Sequence, residues 1–202
     1  MDGTLVDSKK DITISVNYVR KENHNLPPLS EEYVVEAINR KKRNLAYEFY
    51  QTSIYEKKDQ ELFETHYKTQ CVKNVKLFDG IEEMLEKLKQ NGVLMAVATN
   101  APTPFAHLML NAVGIKEYFF EIVGADKARS KPDPLMLEMI LQKCNYDKQQ
   151  DQAWMVGDNQ KDIEVAKNVG IEAIYATWGF QSDVSHHLKA KKPQDILDIV
   201  LQ

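Results

Sequence analysis

The sequence predicts an α/β protein that carries an all-helical insert. From Gly80 onward, helical and strand-like stretches alternate, which is typical of a parallel sheet flanked by helices. From about Lys9 to Val72 the chain has no strand-like run, and its apolar residues recur at helical spacing. We therefore expect a Rossmann-like core at 1–8 and 73–202, interrupted by a helical insert at 9–72.

The elements of the core follow from local patterns. Ile81 to Leu88 has the spacing of an amphipathic helix, which Asn91-Gly92 ends. The apolar run from Val93 to Ala98 is typical of a strand covered on both faces. The same reasoning predicts further strands at 120–123, 153–156 and 171–175, and helices near 103–113, 134–143, 160–168 and 193–201.

The insert shows helix boundaries of its own. Pro27-Pro28 followed by Ser30 marks a helix start, because serine is favoured as the residue that caps a helix. A basic stretch at 38–44 interrupts the helical pattern, and Leu45 to Tyr50 resumes it. We expect several short helices rather than one long one.

Composition limits the class of protein. The 202 residues are 43% hydrophobic and 28% charged, which is ordinary for a globular protein. No apolar run approaches the ~20 residues of a membrane helix, and Cys71 and Cys144 lack the spacing of a disulfide or metal clip. We expect a cytoplasmic protein with reduced thiols. Its net charge of -4 offers no attraction to nucleic acid or to acidic membranes.

Four short segments carry polar residues at the ends of strand-like runs. They are Met1–Asp7, Val97–Asn100, Lys131-Pro132 and Val156–Asp162. An open parallel sheet binds ligands in the crevice beyond the carboxyl ends of its strands. We therefore expect these segments to meet in one site, although each of them alone also fits an ordinary turn or helix cap.

Asp158 and Asp162 leave the predicted sheet at the start of a helix, four positions apart. Two carboxylates that face one crevice would bind a hard cation such as Mg²⁺ through oxygen ligands. The alternative is a turn followed by a helix N-cap, since aspartate is favoured at both. The metal prediction therefore depends on the other three segments.

The remaining segments offer groups that bind phosphate. Thr99 and Asn100 present a hydroxyl and backbone N–H groups at a strand end, and Lys131 is fixed beside a proline. Gly3 allows the backbone to approach a ligand closely, and Asp2 is able to donate or accept a proton. Each also has an ordinary alternative: Thr99 would be a cap at the strand end, Lys131 a solvated surface lysine, and Asp2-Gly3-Thr4 a turn.

Together the four segments resemble the four motifs of the haloacid dehalogenase (HAD) superfamily, whose first motif is Asp-x-Asp-Gly-Thr. The resemblance covers essentially the whole chain and implies a role for each matching residue. Asp2 would be the general acid/base, with its backbone carbonyl on the metal. Thr99 and Lys131 would bind the transferring phosphoryl group. Asp158 would be a Mg²⁺ ligand, with Asp162 as a further ligand or as its support.

The family's nucleophile is the aspartate two positions before the residue that matches Asp2, and the sequence starts at Met1. In the family, the strand that leads into this motif is central to the sheet. Losing such a strand costs more than the ~5–15 kcal/mol by which a domain is stable. We therefore expect Met1 to be the internal residue of an Asp-Met-Asp-Gly-Thr motif, preceded by about ten to twenty residues.

The resemblance also implies a function for the insert, which falls where this family places a helical C1-type cap. Such caps close over the site and contact the substrate. Arg40 and Arg43 belong to a basic loop that would face the catalytic end. We expect one of these cations to bind an anionic or hydroxylated leaving group. The alternative is a solvated basic turn.

By this resemblance the chain is similar to phosphoglycolate-phosphatase-like and β-phosphoglucomutase-like members. It implies a Mg²⁺-dependent phosphomonoester hydrolase that acts on a small phosphorylated metabolite through an aspartyl-phosphate. Two alternatives stay open. One is a phosphomutase that returns the phosphoryl group to a sugar, and the other is an inactive scaffold with a binding role.

The segments after the last predicted strand are less informative. Trp178 and Phe180 either cover the sheet edge or border the crevice. His186-His187 is expected on a surface helix, followed by a polar turn at 189–192. A metal site at the histidines would need more ligands nearby.

Overall fold

The computed structural model of the chain describes residues 1–40, 44–181 and 184–202. These residues form two compact units, one made of Met1–Val6 and Leu77–Gln202 and the other of Asp7–Lys76. Within the described ranges, no helix is long and apolar enough to cross a lipid bilayer.

The unit Asp7–Lys76 is helical. Its helices are α1 (Lys9–His24), α2 (Glu31–Asn39), α3 (Leu45–Tyr50) and α4 (Lys57–Gln70), and the short strands β1 (Val6–Asp7) and β2 (Lys76–Leu77) border it. Its core consists of buried apolar residues from three of these helices, namely Val16, Val19, Val34, Ala37, Phe49 and Tyr50. The predicted helix start is confirmed, because the Ser30 hydroxyl accepts a hydrogen bond from the Tyr33 N–H (3.2 Å) and caps α2.

A buried carboxylate ties the two ends of this helical unit together. Asp11, in the first turn of α1, is fully buried. Its Oδ1 accepts hydrogen bonds from Gln70 Nε2 (2.8 Å) and Asn74 Nδ2 (2.7 Å), and its Oδ2 accepts one from the Asn74 backbone N–H (2.9 Å). These bonds offset the desolvation of the charge. Asp11 therefore fixes the start of α1 against the end of α4.

Replacing Asp11 with alanine is expected to lower the free energy of unfolding by about 3 kcal/mol, because the donors of Gln70 and Asn74 lose their acceptor. Urea denaturation followed by circular dichroism measures the change. Glu61→Ala is the control, since it removes only an exposed ion pair with Lys57 (3.5 Å) and is expected to cost less than about 1 kcal/mol. Equal losses for the two variants would contradict the role given to Asp11.

The other unit is an α/β structure. Its strands are β3 (Ala96–Ala98), β4 (Glu121–Val123), β5 (Trp154–Gly157), β6 (Glu172–Ala176) and β7 (Lys189–Ala190). Its helices are α5 (Ile81–Gln90), α6 (Thr103–Ala112), α7 (Leu135–Lys143), α8 (Gln160–Val169) and α9 (Gln194–Val200), with a 3₁₀ turn at Lys116–Tyr118. β3 pairs with β4, β5 with β6 and β6 with β7, all in parallel. The predicted α/β class is confirmed.

The structure corrects two local predictions. The strand expected from Val93 begins only at Ala96, and Leu94 is 69% exposed, so this part of the apolar run is not covered on both faces. His186-His187 is not helical. The adjoining Lys189–Ala190 forms β7 instead of a polar turn, because it finds pairing partners at the edge of β6.

A cavity of about 520 Å³ lies in the α/β unit and is bordered by both β3 and β5. Consecutive residues of each strand line it, among them Ala96–Ala98 and Trp154–Val156. Successive side chains of a strand point to opposite faces, so a cavity that touches all of them lies along the strand's edge. Apolar side chains of the helices, such as Leu85, Ile140 and Ile196, form further walls. The cavity therefore lies between the β3-β4 pair and the β5-β6-β7 sheet.

Candidate active site

Asp158 stands directly after β5 and is held at both of its oxygens. It is 4% exposed. The Thr4 hydroxyl donates to Oδ1 (2.8 Å), and the Phe180 backbone N–H donates to Oδ2 (2.9 Å). Asp158 thus joins the segment that begins the chain to the loop that follows β6.

Two glycines let the backbone approach Asp158 closely. A Cβ added at Gly3 would lie 2.2 Å from Asp158 Oδ2, and one added at Gly179 would lie 2.1 Å from Asp158 Cβ and 2.5 Å from the Gly3 carbonyl oxygen. Both spaces are too small for any side chain. Gly3 also has a φ of +76°, a conformation that favours glycine.

The surroundings of Asp158 disfavour its ionised form. Burial raises the pKa of Asp158 above that of an ordinary aspartate, and the neighbouring Asp162 carboxylate raises it further. The nearby N-terminal amino group and the hydrogen bonds from Phe180 and Thr4 oppose this pKa shift. Because two carboxylates close together repel each other, a cation bound beside them would favour their ionised forms.

Asp162 has both oxygens in contact with protein groups. Its Oδ1 forms an ion pair with Lys131 Nζ (2.7 Å), and its Oδ2 accepts a hydrogen bond from the Asn159 backbone N–H (3.1 Å). The Asn159 side chain in turn accepts from the backbone N–H of Asp162, which completes the capping box that starts α8, and also from the Lys161 N–H (3.0 Å). The expected alternative of a helix cap therefore holds for Asp162, and its role as a metal ligand stays a prediction.

Lys131 is a buried lysine, 7% exposed, and not a solvated surface residue. Its Nζ donates to the Ala98 carbonyl (2.7 Å) and pairs with Asp162 Oδ1 (2.7 Å). The Asn100 side chain binds its backbone: Oδ1 accepts from the Lys131 N–H (2.7 Å) and Nδ2 donates to the Lys131 carbonyl (3.4 Å). An ammonium group has three N–H donors, and two of them have partners among the residues that the structure describes, which leaves one for a ligand.

Thr99 follows β3 directly and is 2% exposed. Its backbone N–H donates to the Val123 carbonyl (2.9 Å), which holds it against β4. Its hydroxyl oxygen accepts a hydrogen bond from the Ala101 N–H (3.2 Å). Within the described ranges the hydroxyl proton has no acceptor, so it is available to a ligand.

These contacts bring the four predicted segments together. Thr4 binds Asp158, which follows β5, and Asp162 from the next helical turn binds Lys131. Lys131 in turn binds the carbonyl of Ala98, the residue before Thr99. The four segments therefore meet, as expected, and Thr99 and Asp158 directly follow the strands β3 and β5. The role of this meeting point as a functional site stays a prediction.

The donor set suits Mg²⁺ in kind. The described ranges hold no group of three or more His, Cys, Asp or Glu side chains arranged around one ion. Mg²⁺ is often bound by one or two carboxylates while it keeps several waters, so a site with the single carboxylate of Asp158 would be compatible with it. Asp2 is half-buried and precedes Gly3, whose backbone approaches Asp158. Contact of the metal with Asp2 stays a prediction.

The sequence patterns missed part of the support around Asp158. Trp178 Nε1 donates to the Thr4 carbonyl (3.0 Å), and Phe180 donates its N–H to Asp158. Trp178 combines the two positions considered for it, because it bonds to Thr4 and also lines the cavity along the edges of β3 and β5. Phe180 reaches Asp158 through its backbone, and its ring packs against Phe78. No local signal indicated that Thr4 or Gly179 would contact Asp158.

The two arginines predicted to bind substrate belong to the helical unit. Arg40 ends α2, and its guanidinium pairs with Glu48 Oε1 (2.7 Å) and Glu36 Oε1 (2.9 Å) and lies over the Tyr33 ring (5.7 Å). These contacts account for its charge within the unit. Arg43 lies outside the described residues. Substrate binding by either arginine stays a prediction.

Known proteins resemble this chain over most of its length. A family model described as haloacid dehalogenase-like hydrolase matches residues 1–176. A phosphoglycolate phosphatase of Haemophilus influenzae (strain 86-028NP) is 30% identical, over 91% of this chain and 86% of the relative. An N-acetylmuramic acid 6-phosphate phosphatase of Pseudomonas aeruginosa is 27% identical, over 99% of this chain and 92% of the relative.

The fold has solved counterparts as well. The crystal structure of a predicted phosphoglycolate phosphatase from Haemophilus somnus superposes with a TM-score of 0.84 at 27% identity. The match covers 98% of this chain and 94% of that one. The similarity therefore includes both the α/β unit and the helical unit.

Proposed function

The chain belongs to the haloacid dehalogenase-like hydrolase family, and from this premise we propose that it is a Mg²⁺-dependent phosphatase of small phosphorylated metabolites. The observation that carries the proposal is the run of contacts from Thr4 to Asp158 and from Asp162 to Lys131. Together with the bond from Lys131 to the Ala98 carbonyl, it gathers the Asp158 carboxylate, the Lys131 ammonium and the Thr99 hydroxyl, all of them buried. These are the groups that phosphoryl transfer requires.

The names of the relatives support a class of substrate. One group is named for phosphoglycolate and another for the 6-phosphate of an amino sugar. What these compounds share is a phosphomonoester on a small polar molecule. We therefore propose this class, with phosphoglycolate as the first compound to test.

Two side chains are assigned to the phosphoryl group. The remaining N–H of the Lys131 ammonium and the Thr99 hydroxyl would donate to its non-bridging oxygens. Both side chains are buried, so their hydrogen bonds would be stronger than in water. The lysine charge also offsets the repulsion between an anionic nucleophile and an anionic phosphoryl group.

The proton and the covalent step are assigned by the family's first motif. In the family's motif the nucleophile is the aspartate two positions before the residue that matches Asp2. This aspartate would attack phosphorus and form an acyl phosphate while the bond to the leaving oxygen breaks. Asp2 would give that oxygen a proton and later take one from the water that releases inorganic phosphate. Mg²⁺ held at Asp158 would supply positive charge to the phosphoryl oxygens.

The cavity between β3 and β5 offers room for the strand that leads into this motif in the family. It is lined by apolar side chains and by the edges of two parallel strands. A further parallel strand beside them would pair with both edges and bury its own apolar side chains. We propose that the polypeptide leading into Met1 occupies this cavity.

We also propose that the helical unit acts as the cap. It is inserted between the first and second motifs, and its residues pack into a compact unit of their own. In this role it would exclude bulk water and contact the leaving group. Its core and the Asp11 bonds would let it move as one body.

A hydrolysis assay tests the proposal. Two proteins are compared: the 202-residue chain, and the product of the natural reading frame with any residues that it encodes before Met1. Substrates are p-nitrophenyl phosphate, phosphoglycolate and N-acetylmuramic acid 6-phosphate. We expect Mg²⁺-dependent release of phosphate that EDTA abolishes, and only from the product of the natural reading frame. Folded protein without turnover in either form would contradict the proposal and favour a binding scaffold.

A further inference from the structure

The side chain of Asn100 is hydrogen-bonded to the backbone of Lys131, the lysine proposed to bind the phosphoryl group. Its Oδ1 accepts the Lys131 N–H at 2.7 Å, and its Nδ2 lies 3.4 Å from the Lys131 carbonyl. One side chain thus binds the donor and the acceptor of the same residue, 31 positions away in sequence. From this geometry we infer that Asn100 is a positioning residue, which acts on the phosphoryl group through Lys131.

The head of the lysine is anchored to the same turn as its backbone. Lys131 Nζ donates to the carbonyl of Ala98, two residues before Asn100. Between these two anchors lies Thr99, the other candidate phosphate ligand. The end of β3 and the two residues after it, Ala98–Asn100, therefore hold the Thr99 hydroxyl and the Lys131 ammonium at a fixed separation.

A lysine side chain has many rotamers, so its backbone must be fixed if its ammonium is to be placed accurately. The Asp162 ion pair and the Ala98 carbonyl fix only the end of the side chain. Asn100 fixes its origin. Without it, the backbone of Lys131 would lose its two hydrogen bonds to Asn100, and the third N–H of the ammonium would point less well at a ligand.

The inference rests on the proposed function, and a double-mutant cycle tests it. Asn100→Ala, Lys131→Ala and the double variant are made in the natural-reading-frame protein. We expect Asn100→Ala to lower kcat/KM for p-nitrophenyl phosphate by about tenfold to a hundredfold. In the Lys131→Ala background, the same substitution is expected to change kcat/KM by less than about threefold.

Measuring Asn100→Ala with and without Lys131 separates a positioning role from direct phosphate binding and from a general effect on the fold. If Asn100 bound phosphate directly, or if its loss merely loosened the fold, kcat/KM would fall by the same factor with and without Lys131. Equal factors would overturn the inference. Asn91→Ala is the matched control, because Asn91 also bonds a backbone carbonyl, that of Lys87 (2.8 Å), and it should leave kcat/KM unchanged.

A crystal structure of Asn100→Ala gives a second readout that needs no turnover. We expect Lys131 Nζ to move by more than about 1 Å from its place beside the Ala98 carbonyl. An unmoved lysine would overturn the inference even if the protein is a phosphatase. A protein without phosphatase activity would refute the proposed function, while the lysine position would still test the link between Asn100 and Lys131.

Discussion

Asp158→Asn is expected to lower kcat/KM for p-nitrophenyl phosphate by about a thousandfold or more, because it removes the charge that would hold Mg²⁺. The substitution preserves the local hydrogen bonds. The asparagine carbonyl would accept from the Phe180 N–H, and its amide would donate to the Thr4 hydroxyl, which is able to reverse its role. The loss should therefore come from chemistry and not from unfolding.

Two measurements separate these causes. Titration calorimetry with Mg²⁺ should show binding to the parent protein and none to Asp158→Asn. Thermal unfolding without metal should be similar for both. Asp195→Asn is the control. This half-buried carboxylate in the first turn of α9 accepts, among the described residues, from the Lys191 and Lys192 backbone N–H groups. If Asp158→Asn kept its activity within about tenfold of the parent, Asp158 would not be the metal anchor.

Gly179→Ala is expected to reduce kcat/KM by about a hundredfold. The added methyl would lie 2.1 Å from Asp158 Cβ and 2.5 Å from the Gly3 carbonyl oxygen, and neither atom belongs to a flexible side-chain end. Either Asp158 or the Gly3 backbone must move by about 1 Å to restore normal contact, and a shift of that size disrupts catalytic geometry. The methyl group itself removes no hydrogen bond.

The control for this substitution is Gly114→Ala. Gly114 has a φ of +78° and no atom within 4 Å of an added Cβ, so alanine there strains only the backbone. We expect it to lower stability by about 1 kcal/mol and to leave kcat/KM unchanged. Measuring both variants by circular dichroism and by steady-state kinetics distinguishes strain from displacement of Asp158. A folded Gly179→Ala protein with full activity would show that the close packing has no role in catalysis.

Sequence patterns predicted the parts of this fold that are determined locally. The strand β5 is a short apolar run, and the polar residues after it start a helix, so Asp158 could be placed at a strand end. The pair Asn159 and Asp162 has the spacing of a helix cap, and the structure shows the full capping box. In such cases the residues that determine the structure lie within about one helical turn of each other.

Contacts between distant segments were not predictable in the same way. Thr4 and Asp158 are 154 positions apart, and Trp178 and Thr4 are 174 apart. No local pattern distinguishes Thr4 from any other threonine in a turn. The side chain of Asn100 is a similar case, since only the fold brings it to the Lys131 backbone. Phosphate binding by Asn100 stays a prediction.

The short strand β7 shows why some secondary structure could not be predicted from the sequence. Lys189-Ala190 lies in a basic run that resembles an exposed turn, and its strand form depends on an edge of β6 that is free to pair. The substrate is a comparable case. Local motifs describe the phosphoryl group, whereas the rest of the substrate is recognised by pocket shape, which many distant residues create together.

The most direct test is a crystal structure of the natural-reading-frame protein with Mg²⁺ and orthovanadate, a mimic of the transferring phosphoryl group. We expect one Mg²⁺ ion bound to the Asp158 carboxylate, and vanadate oxygens within hydrogen-bonding distance of the Thr99 hydroxyl and Lys131 Nζ. Vanadate bound away from these two side chains, or Mg²⁺ without contact to Asp158, would contradict the account.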